Sequence, residues 1–284
     1  MNAVEVRGLW KSYGKIRALQ GVDLHVPAGA IYGLVGPNGA GKTTLIKALV
    51  GALKPDAGQV RVLGLDPLQQ KWALRRQIGY MPQAYALYED LSARDHVAFY
   101  GQGQNTPDLA RKVDEILAFT ELSERADDPV RTFSGGMKKR VSLACALIHD
   151  PAILFLDEPT AAVDPHLRQR SWQLFRALAG RGVTLLISTH LMEEALLCDR
   201  VTIVRQGQIV AMDTPERLLE RGQSRLWLHR NGAAQEQWIP STPAALAAAL
   251  HAYGLAPDVD AVSVRPESLE EIVLDIIQQQ EAQP

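Results

Sequence analysis

The chain begins with two segments in which apolar and polar residues alternate. Residues 4–9 and 18–26 both show this period of two, which is typical of antiparallel strands with one buried face. Short continuous apolar runs follow at 30–35, 153–156 and 183–188, a pattern typical of parallel strands covered on both faces. Because such runs alternate with helical segments, we predict an α/β fold with a mixed sheet and an antiparallel β subdomain.

Helical periodicity dominates the middle of the chain. From residue 92 to 149, apolar residues recur at spacings of three and four, and Ser92 with Asp95 forms a capping-box pattern. The segment 106–108, Thr-Pro-Asp, predicts the start of a helix with proline at its first position. We therefore predict a helical subdomain of about residues 90–149, inserted into the α/β fold.

The character of the sequence changes toward the C-terminus. Short strand patterns at 225–228 and 261–265 alternate with an Ala/Leu-rich helix and with an amphipathic helix over 268–279. This organisation predicts one large domain over residues 1–222 and a small α/β module over residues 223–284.

Composition is that of a folded chain with a sizeable core. Of its 284 residues 46% are hydrophobic, and the formal net charge is −2 at pH 7. No global basic footprint for nucleic acid is present, and the clusters Arg75–Arg76 and Lys138–Arg140 are typical of solvated helix faces.

Cys145 and Cys198 lie in apolar helical patterns, which predicts buried free thiols in a reducing compartment. The sequence has no signal-peptide pattern and no apolar run of the ~18 residues that span a bilayer, so we expect a cytoplasmic protein.

A glycine-rich loop follows the apolar run at 30–35. Its residues are Gly36, Pro37, Asn38, Gly39, Ala40, Gly41, Lys42, Thr43 and Thr44. They match Gly-x4-Gly-Lys-Ser/Thr, the P-loop, in which glycines let backbone N–H groups approach phosphate oxygens at a helix N-terminus. Lys42 can reach the β- and γ-phosphates and the Thr43 hydroxyl can ligate Mg²⁺. The glycine spacing does not fit the Gly-x-Gly-x-x-Gly dinucleotide motif, so the predicted ligand is a nucleoside triphosphate.

Two adjacent carboxylates end the apolar run at 153–156. Asp157 and Glu158 would repel each other at the end of a buried strand unless a cation such as Mg²⁺ compensated them. Asp157 is therefore a candidate metal ligand, and Glu158 is a candidate general base for an attacking water.

In these motifs and their order, the chain resembles the ATP-binding subunits of ABC transporters over about residues 4–219. The segment from Phe133 to Met137 is similar to the signature motif of that family, Leu-Ser-Gly-Gly-Gln, and it stands just before a predicted helix. Its central residues are Ser134, Gly135 and Gly136. Met137 replaces the glutamine of the motif, and this departure concerns nucleotide contacts between subunits rather than hydrolysis itself.

The resemblance implies roles for four further residues. Gln83 matches the glutamine that senses Mg²⁺ and the attacking water, and His190 matches the switch histidine that contacts the γ-phosphate. Tyr13 matches the aromatic residue that stacks on adenine. Asp164 matches the aspartate of the D-loop, in which Ala161 replaces the usual serine. The implied cofactors are ATP and Mg²⁺.

The resemblance also implies partners. Two such domains pack head to tail around ATP, so that the P-loop of each faces the signature motif of the other. Since this sequence has one copy of each motif, it would pair with a second copy or with a homologous ATPase subunit. A groove near Gln83 and the helical subdomain would receive a short helix from an integral-membrane permease, with residues 84–89 at the coupling surface. The chain would then lie at the cytoplasmic face of the membrane, held there by the permease.

Three functions remain open from the sequence. The leading prediction is an ATP-hydrolysing subunit of a membrane exporter, because residues 265–272 resemble tails of the bacterial drug- and polysaccharide-export branch; the same residues also fit a simple N-capped amphipathic helix. The first alternative is a soluble ABC-type ATPase acting on ribosomes or DNA, which usually has tandem ATPase domains, a coiled coil or basic arms. The second is a P-loop GTPase switch, which needs an Asn-Lys-x-Asp motif that this sequence lacks.

Overall fold

The structure is a computed structural model that describes residues 2–253 and 259–281. The chain divides into two compact units, Met1–Ile209 and Val210–Pro284. The domain boundary predicted between residues 222 and 223 stays a prediction.

The first unit contains eight strands and seven helices within its described residues. In chain order they are β1 (Asn2–Tyr13), β2 (Ile16–Pro27), β3 (Ile31–Val35), α1 (Lys42–Leu49), β4 (Ala57–Val62), α2 (Lys71–Arg75), β5 (Ile78–Met81), α3 (Ala93–Gly103), α4 (Leu109–Phe119), α5 (Gly135–Leu147), β6 (Ile153–Asp157), α6 (Pro165–Gly180), β7 (Thr184–Thr189), α7 (Met192–Ala195) and β8 (Arg200–Arg205). A ninth strand, β9 (Gln208–Asp213), crosses the boundary between the two units.

Two sheets confirm the strand patterns of the sequence. The alternating segments form an antiparallel sheet in the order β2-β1-β4, and its strands run further toward the turn at Gly14 and Lys15 than the alternation indicated. The continuous apolar runs form the parallel strands β6, β7 and β3, which lie between β5 and β8 in the order β5-β6-β7-β3-β8. Every residue of β3, β6 and β7 is buried, as expected for parallel strands covered on both faces. The carboxyl ends of these strands meet at one edge of the sheet, where ligands of α/β folds bind.

The helices α3, α4 and α5 occupy the segment in which the sequence predicts helices. Ser92 and Asp95 form the predicted capping box, with each side chain accepting a hydrogen bond from the backbone N–H of the other residue. The predicted start of α4 at Pro107 is wrong. The helix begins at Leu109 because Asp108 adopts a left-handed conformation with φ 47°, which leaves Pro107 in the preceding turn.

The second unit is a small α/β module. Its elements are α8 (Pro215–Leu219), β10 (Gln223–Arg230), β11 (Ala233–Pro240), α9 (Pro243–Tyr253), β12 (Val259–Pro266) and α10 (Leu269–Glu281). The strands pair antiparallel in the order β11-β10-β12, and Leu226, Ile239 and Ala249 form a core under α9. The sequence did not predict β11, because Ile239 is its one buried residue and no apolar alternation results.

The amphipathic helix predicted over residues 268–279 is confirmed as α10. Ser268 and Glu271 form a capping box at its start, since the Ser268 hydroxyl accepts from the Glu271 N–H and the Glu271 carboxylate accepts from the Ser268 N–H. Leu269, Ile272 and Val273 are buried on its apolar face.

Two further properties of the chain concern its thiols and its helices. Cys145 and Cys198 are buried free thiols, as predicted, and burial raises the pKa of each to about 12. Across residues 2–253 and 259–281, no helix combines the length and the apolar character that crossing a bilayer requires.

Candidate active site

The glycine-rich loop joins the end of β3 to the start of α1, as the sequence predicts. A Cβ on Gly36 would lie 2.1 Å from the carbonyl oxygen of Val204, and a Cβ on Gly41 would lie 2.5 Å from the carbonyl oxygen of Ala18. Gly41 also has φ 110°, a value that favours glycine. Glycine at these two positions therefore lets the loop pack against the backbone of β8 and β2, which a side chain there would prevent.

A cavity of about 700 Å³ lies over this loop. Its lining residues are Lys15, Ile16, Arg17, Ala18, Gln20, Asn38, Gly39, Ala40, Gly41, Lys42, Thr43, Thr44, Gln83, Glu158 and Gln206. The volume falls in the range of roughly 300–1,000 Å³ that is usual for small-molecule sites. The predicted loop residues from Asn38 to Thr44 thus meet Gln83 and Glu158 around one space.

Lys42 is a buried residue of the cavity lining. Its ammonium donates to the carbonyl oxygens of Gly36 at 2.7 Å and Pro37 at 3.1 Å. The same Nζ lies 3.3 Å from Oε1 of Glu158. These contacts compensate a charge that would otherwise be costly to bury.

Glu158 is held through both its backbone and its side chain. It is 4% exposed and has φ 53°, a left-handed conformation that is uncommon for a residue other than glycine. Its backbone N–H donates to the carbonyl oxygen of Ser188 at 3.2 Å and to the Ser188 hydroxyl at 3.0 Å. Its carbonyl oxygen accepts from Nζ of Lys139, and its Oε2 lies 2.6 Å from Nδ1 of His190. The carboxylate therefore stands in a defined place between Lys42 and His190.

Asp157, which precedes the cavity-lining Glu158, has one unsatisfied carboxylate oxygen. The residue is fully buried at the end of β6, and its Oδ1 accepts from the hydroxyl of Ser188. Its Oδ2 is buried and has no hydrogen-bond partner among the described residues. A buried carboxylate oxygen without a partner is unfavourable, and a hard cation such as Mg²⁺ would satisfy it. Together with the Thr43 hydroxyl and Gln83 in the cavity lining, the oxygen donors present fit the predicted Mg²⁺.

Two residues that hold the site were missed by the sequence reasoning. Ser188 pairs in register with Asp157 across β6 and β7, so aligning the ends of the two parallel strands would have found it. The prediction that Lys139 lies on a solvated helix face is wrong, because its side chain is buried against Glu158. Its neighbour Lys138 does lie at the surface, paired with a glutamate, and no local sequence signal separates the two lysines.

Other predicted site residues lie outside the lining of the cavity. Ser134 and Asp164 are the N-caps of α5 and α6, and both are exposed. Gly135 and Gly136 form the first turn of α5 behind Ser134. Tyr13 lies at the end of β1 with 47% of its surface exposed, and the cavity wall next to it is formed by residues 15–18.

Sequence comparisons identify relatives of this chain. A family model described as ABC transporter matches residues 19–161. The Daunorubicin resistance ATP-binding protein DrrA3 of Streptomyces coeruleorubidus is 41% identical over 219 residues, which cover 76% of this chain and 69% of that protein. The Nod factor export ATP-binding protein I of Rhizobium sp. (strain N33) is 40% identical over 222 residues, which cover 77% of this chain and 73% of that protein.

Solved structures share the fold. An ATP-binding subunit of an ABC transporter has a TM-score of 0.73 over 97% of this chain and 99% of its own, and its 24% identity supports the fold alone. The ATP-binding cassette MJ0796, solved as a dimer in a post-hydrolysis state with ADP and Pi, has a TM-score of 0.68 and 26% identity over 74% of this chain and 98% of its own.

Proposed function

The chain belongs to the ABC transporter family of ATP-binding proteins, and we propose that it hydrolyses ATP to power export through a separate integral-membrane permease. The observation that carries the proposal is the meeting of Lys42 of the P-loop with the carboxylate of Glu158 at one cavity. Names of relatives that refer to drug resistance and to Nod factor export support a transporter rather than an ATPase acting on ribosomes or DNA.

The loop over residues 36–44 would hold the phosphates of ATP through its backbone N–H groups and the N-terminus of α1. Lys42 would exchange its contact with Glu158 for the β- and γ-phosphates, which leaves the carboxylate available to a water molecule. Thr43, Gln83 and Asp157 would hold Mg²⁺, which when bound neutralises charge on the phosphate oxygens. Tyr13 remains the proposed residue for stacking on adenine.

Glu158 would act as the general base of hydrolysis. It accepts a proton from water while the water oxygen bonds to the γ-phosphorus and the bond to the bridging oxygen breaks, which yields ADP and phosphate. His190, which lies 2.6 Å from the carboxylate, would contact the γ-phosphate from the end of β7. The two hydrogen bonds from the Glu158 N–H to Ser188 favour catalysis because they keep the base in one position.

The remaining predicted residues support a shared site. Ser134, Gly135, Gly136 and Asp164 would contact the nucleotide held by a second ATPase subunit, in a dimer that ATP closes and hydrolysis releases. The exposure of Ser134 and Asp164 away from their own cavity supports this arrangement, as does the dimeric state of the MJ0796 cassette.

A groove of about 450 Å³ in the first unit is the proposed docking site for the permease. Leu87 and Tyr100 are among its lining residues, and the adjacent segment 84–89 exposes the aromatic rings of Tyr85 and Tyr88. Exposed apolar residues beside a groove are typical of a surface that receives an amphipathic helix. Docking there would hold the chain at the cytoplasmic face of the membrane.

The test of the proposed function is the substitution Glu158→Gln. We expect it to retain ATP binding and to lower turnover by about 10²-fold or more, since a positioned base contributes at least that factor. Phosphate release and the binding of a fluorescent ATP analogue measure the two effects. Glu193→Gln, at an exposed position of α7, is the matched control and should hydrolyse ATP at the wild-type rate. Near-normal hydrolysis by Glu158→Gln would contradict the assignment of the base.

A further inference from the structure

We propose that Lys139 is a positioning residue for hydrolysis, which ties the helix behind the signature motif to the backbone of Glu158. The inference rests on the proposed function, because it takes Glu158 to be the base.

Lys139 is the fifth residue of α5 and is 7% exposed. Its Nζ donates to the carbonyl oxygen of Glu158. Burial holds the pKa of the ammonium below its usual value, while the nearby carboxylates of Glu158, Asp157 and Glu194 act in the opposite direction. The helix therefore directs a positive charge inward, where the ammonium binds the backbone carbonyl oxygen of the proposed base.

The conformation of Glu158 makes this contact consequential. A left-handed φ of 53° is unfavourable for a glutamate, so it persists only where the surroundings hold it. Ser188 of β7 holds the backbone N–H, and Lys139 of α5 holds the carbonyl oxygen. Without the lysine, a buried carbonyl would lose its donor and the backbone could relax. The carboxylate would then leave its place beside His190.

The same helix extends from Lys139 back to Ser134. Ser134 caps α5 and is exposed outside the cavity of its own subunit. In the proposed function it contacts the nucleotide that the second subunit holds. A helix is a rigid element, so a displacement at its first turn reaches the residue in its next turn. Lys139 therefore links two contacts. Ser134 contacts the nucleotide of the second subunit, and Glu158 acts as base on the nucleotide in its own cavity.

The experiment compares Lys139→Met with Lys138→Met in the full-length chain. Methionine keeps the length and apolar stem of lysine but removes the donor. We expect kcat to fall by about 10²-fold, the cost of a misplaced catalytic group, while KM for ATP stays within about threefold of the wild-type value. Lys138→Met is the matched control, because Lys138 lies one position away and pairs with Glu89 at the surface. It should leave kcat unchanged.

A double-mutant cycle separates positioning from general damage. In single-turnover hydrolysis, introducing Lys139→Met into Glu158→Gln should lower the rate by less than about twofold. The carboxylate that Lys139 positions is already absent from that variant. A loss of the same factor in both backgrounds would overturn the proposal, and so would an unchanged kcat in folded Lys139→Met. If Lys139→Met does not fold, the same cycle is measured with Lys139→Gln. Its side chain is shorter than that of lysine and falls short of the carbonyl oxygen. Wild-type turnover in Glu158→Gln would instead reject the proposed function itself.

Discussion

The ammonium of Lys42 has three oxygen partners in this structure, and a bound triphosphate would compete for it. Two partners are the loop carbonyls of Gly36 and Pro37, and the third is the buried carboxylate of Glu158. The ion pair keeps both charges compensated inside the protein, which is the condition under which burying them is tolerated. At the scale of residues, Lys42 is thus the counter-charge of the proposed base and the proposed ligand for phosphate.

Replacing Lys42 with alanine should weaken ATP binding by about tenfold or more, because hydrogen bonds to charged groups contribute about 1.5–3 kcal/mol each. Fluorescence anisotropy with a labelled ATP measures the affinity, and a melting curve checks that the variant is folded. Lys47→Ala, at an exposed position in the last turn of α1, is the matched control. An affinity equal to that of the wild type would show that the P-loop does not bind the triphosphate.

The helix α5 connects the candidate site to the parallel sheet. Ser134 caps its N-terminus, Lys139 binds the backbone of Glu158, and His149 follows its C-terminal end. The imidazole of His149 donates from Nε2 to the carbonyl oxygen of Ile78 in β5, at 3.0 Å. This hydrogen bond joins the end of the helix to the parallel sheet.

The partly buried imidazole of His149 makes the folded state sensitive to acid, because a proton added at Nδ1 finds no hydrogen-bond partner among the described residues. Burial lowers the pKa of His149 below the usual 6.5, so the unfolded chain takes up a proton first as the pH falls. The folded state therefore loses stability as the pH falls from about 6.5 toward the lower pKa that His149 has in the folded protein. Above about pH 6.5 the imidazole is neutral in both states and the effect vanishes. We expect the melting temperature of the wild type to drop more between about pH 7.5 and 5.5 than that of His149→Gln. Equal slopes in the two proteins would contradict this assignment.

At the scale of the whole molecule, the predicted contacts to one nucleotide do not meet around one cavity. The P-loop, Gln83 and Glu158 surround the cavity, whereas Ser134 and Asp164 are exposed elsewhere on the first unit. In the proposed function, a complete site would therefore combine the P-loop of one subunit with the signature motif of another. Such a pairing is two-fold symmetric when both subunits are copies of this chain.

This arrangement predicts complementation between two inactive variants. Lys42→Ala removes the P-loop lysine and Ser134→Arg blocks the signature motif, so each should be inactive alone. Mixing them should restore up to about a quarter of the wild-type rate, because half of randomly assorted dimers are mixed and each mixed dimer has one intact site. ATP hydrolysis of the mixture against each variant alone measures this. A mixture without activity would argue against a dimer of two copies and for a different ATPase partner.

The sequence by itself determined the features that depend on neighbouring residues. The P-loop between β3 and α1, the buried parallel strands and the capping box at Ser92 all follow from local patterns, and the structure contains each of them. Asp157 and Glu158 could be predicted in the same way, because a strand that ends in carboxylates is visible in the chain itself.

The tertiary structure alone decided the features that depend on distant partners. β11 forms by pairing with β10 although its own residues are mostly exposed, and α4 starts late because of the backbone conformation of Asp108. Lys139 resembles Lys138 in sequence, yet packing turns one inward to Glu158 and leaves the other at the surface. Local sequence encodes which residues are able to act, whereas burial and contact between distant segments decide which of them meet, because both arise only when the whole chain packs.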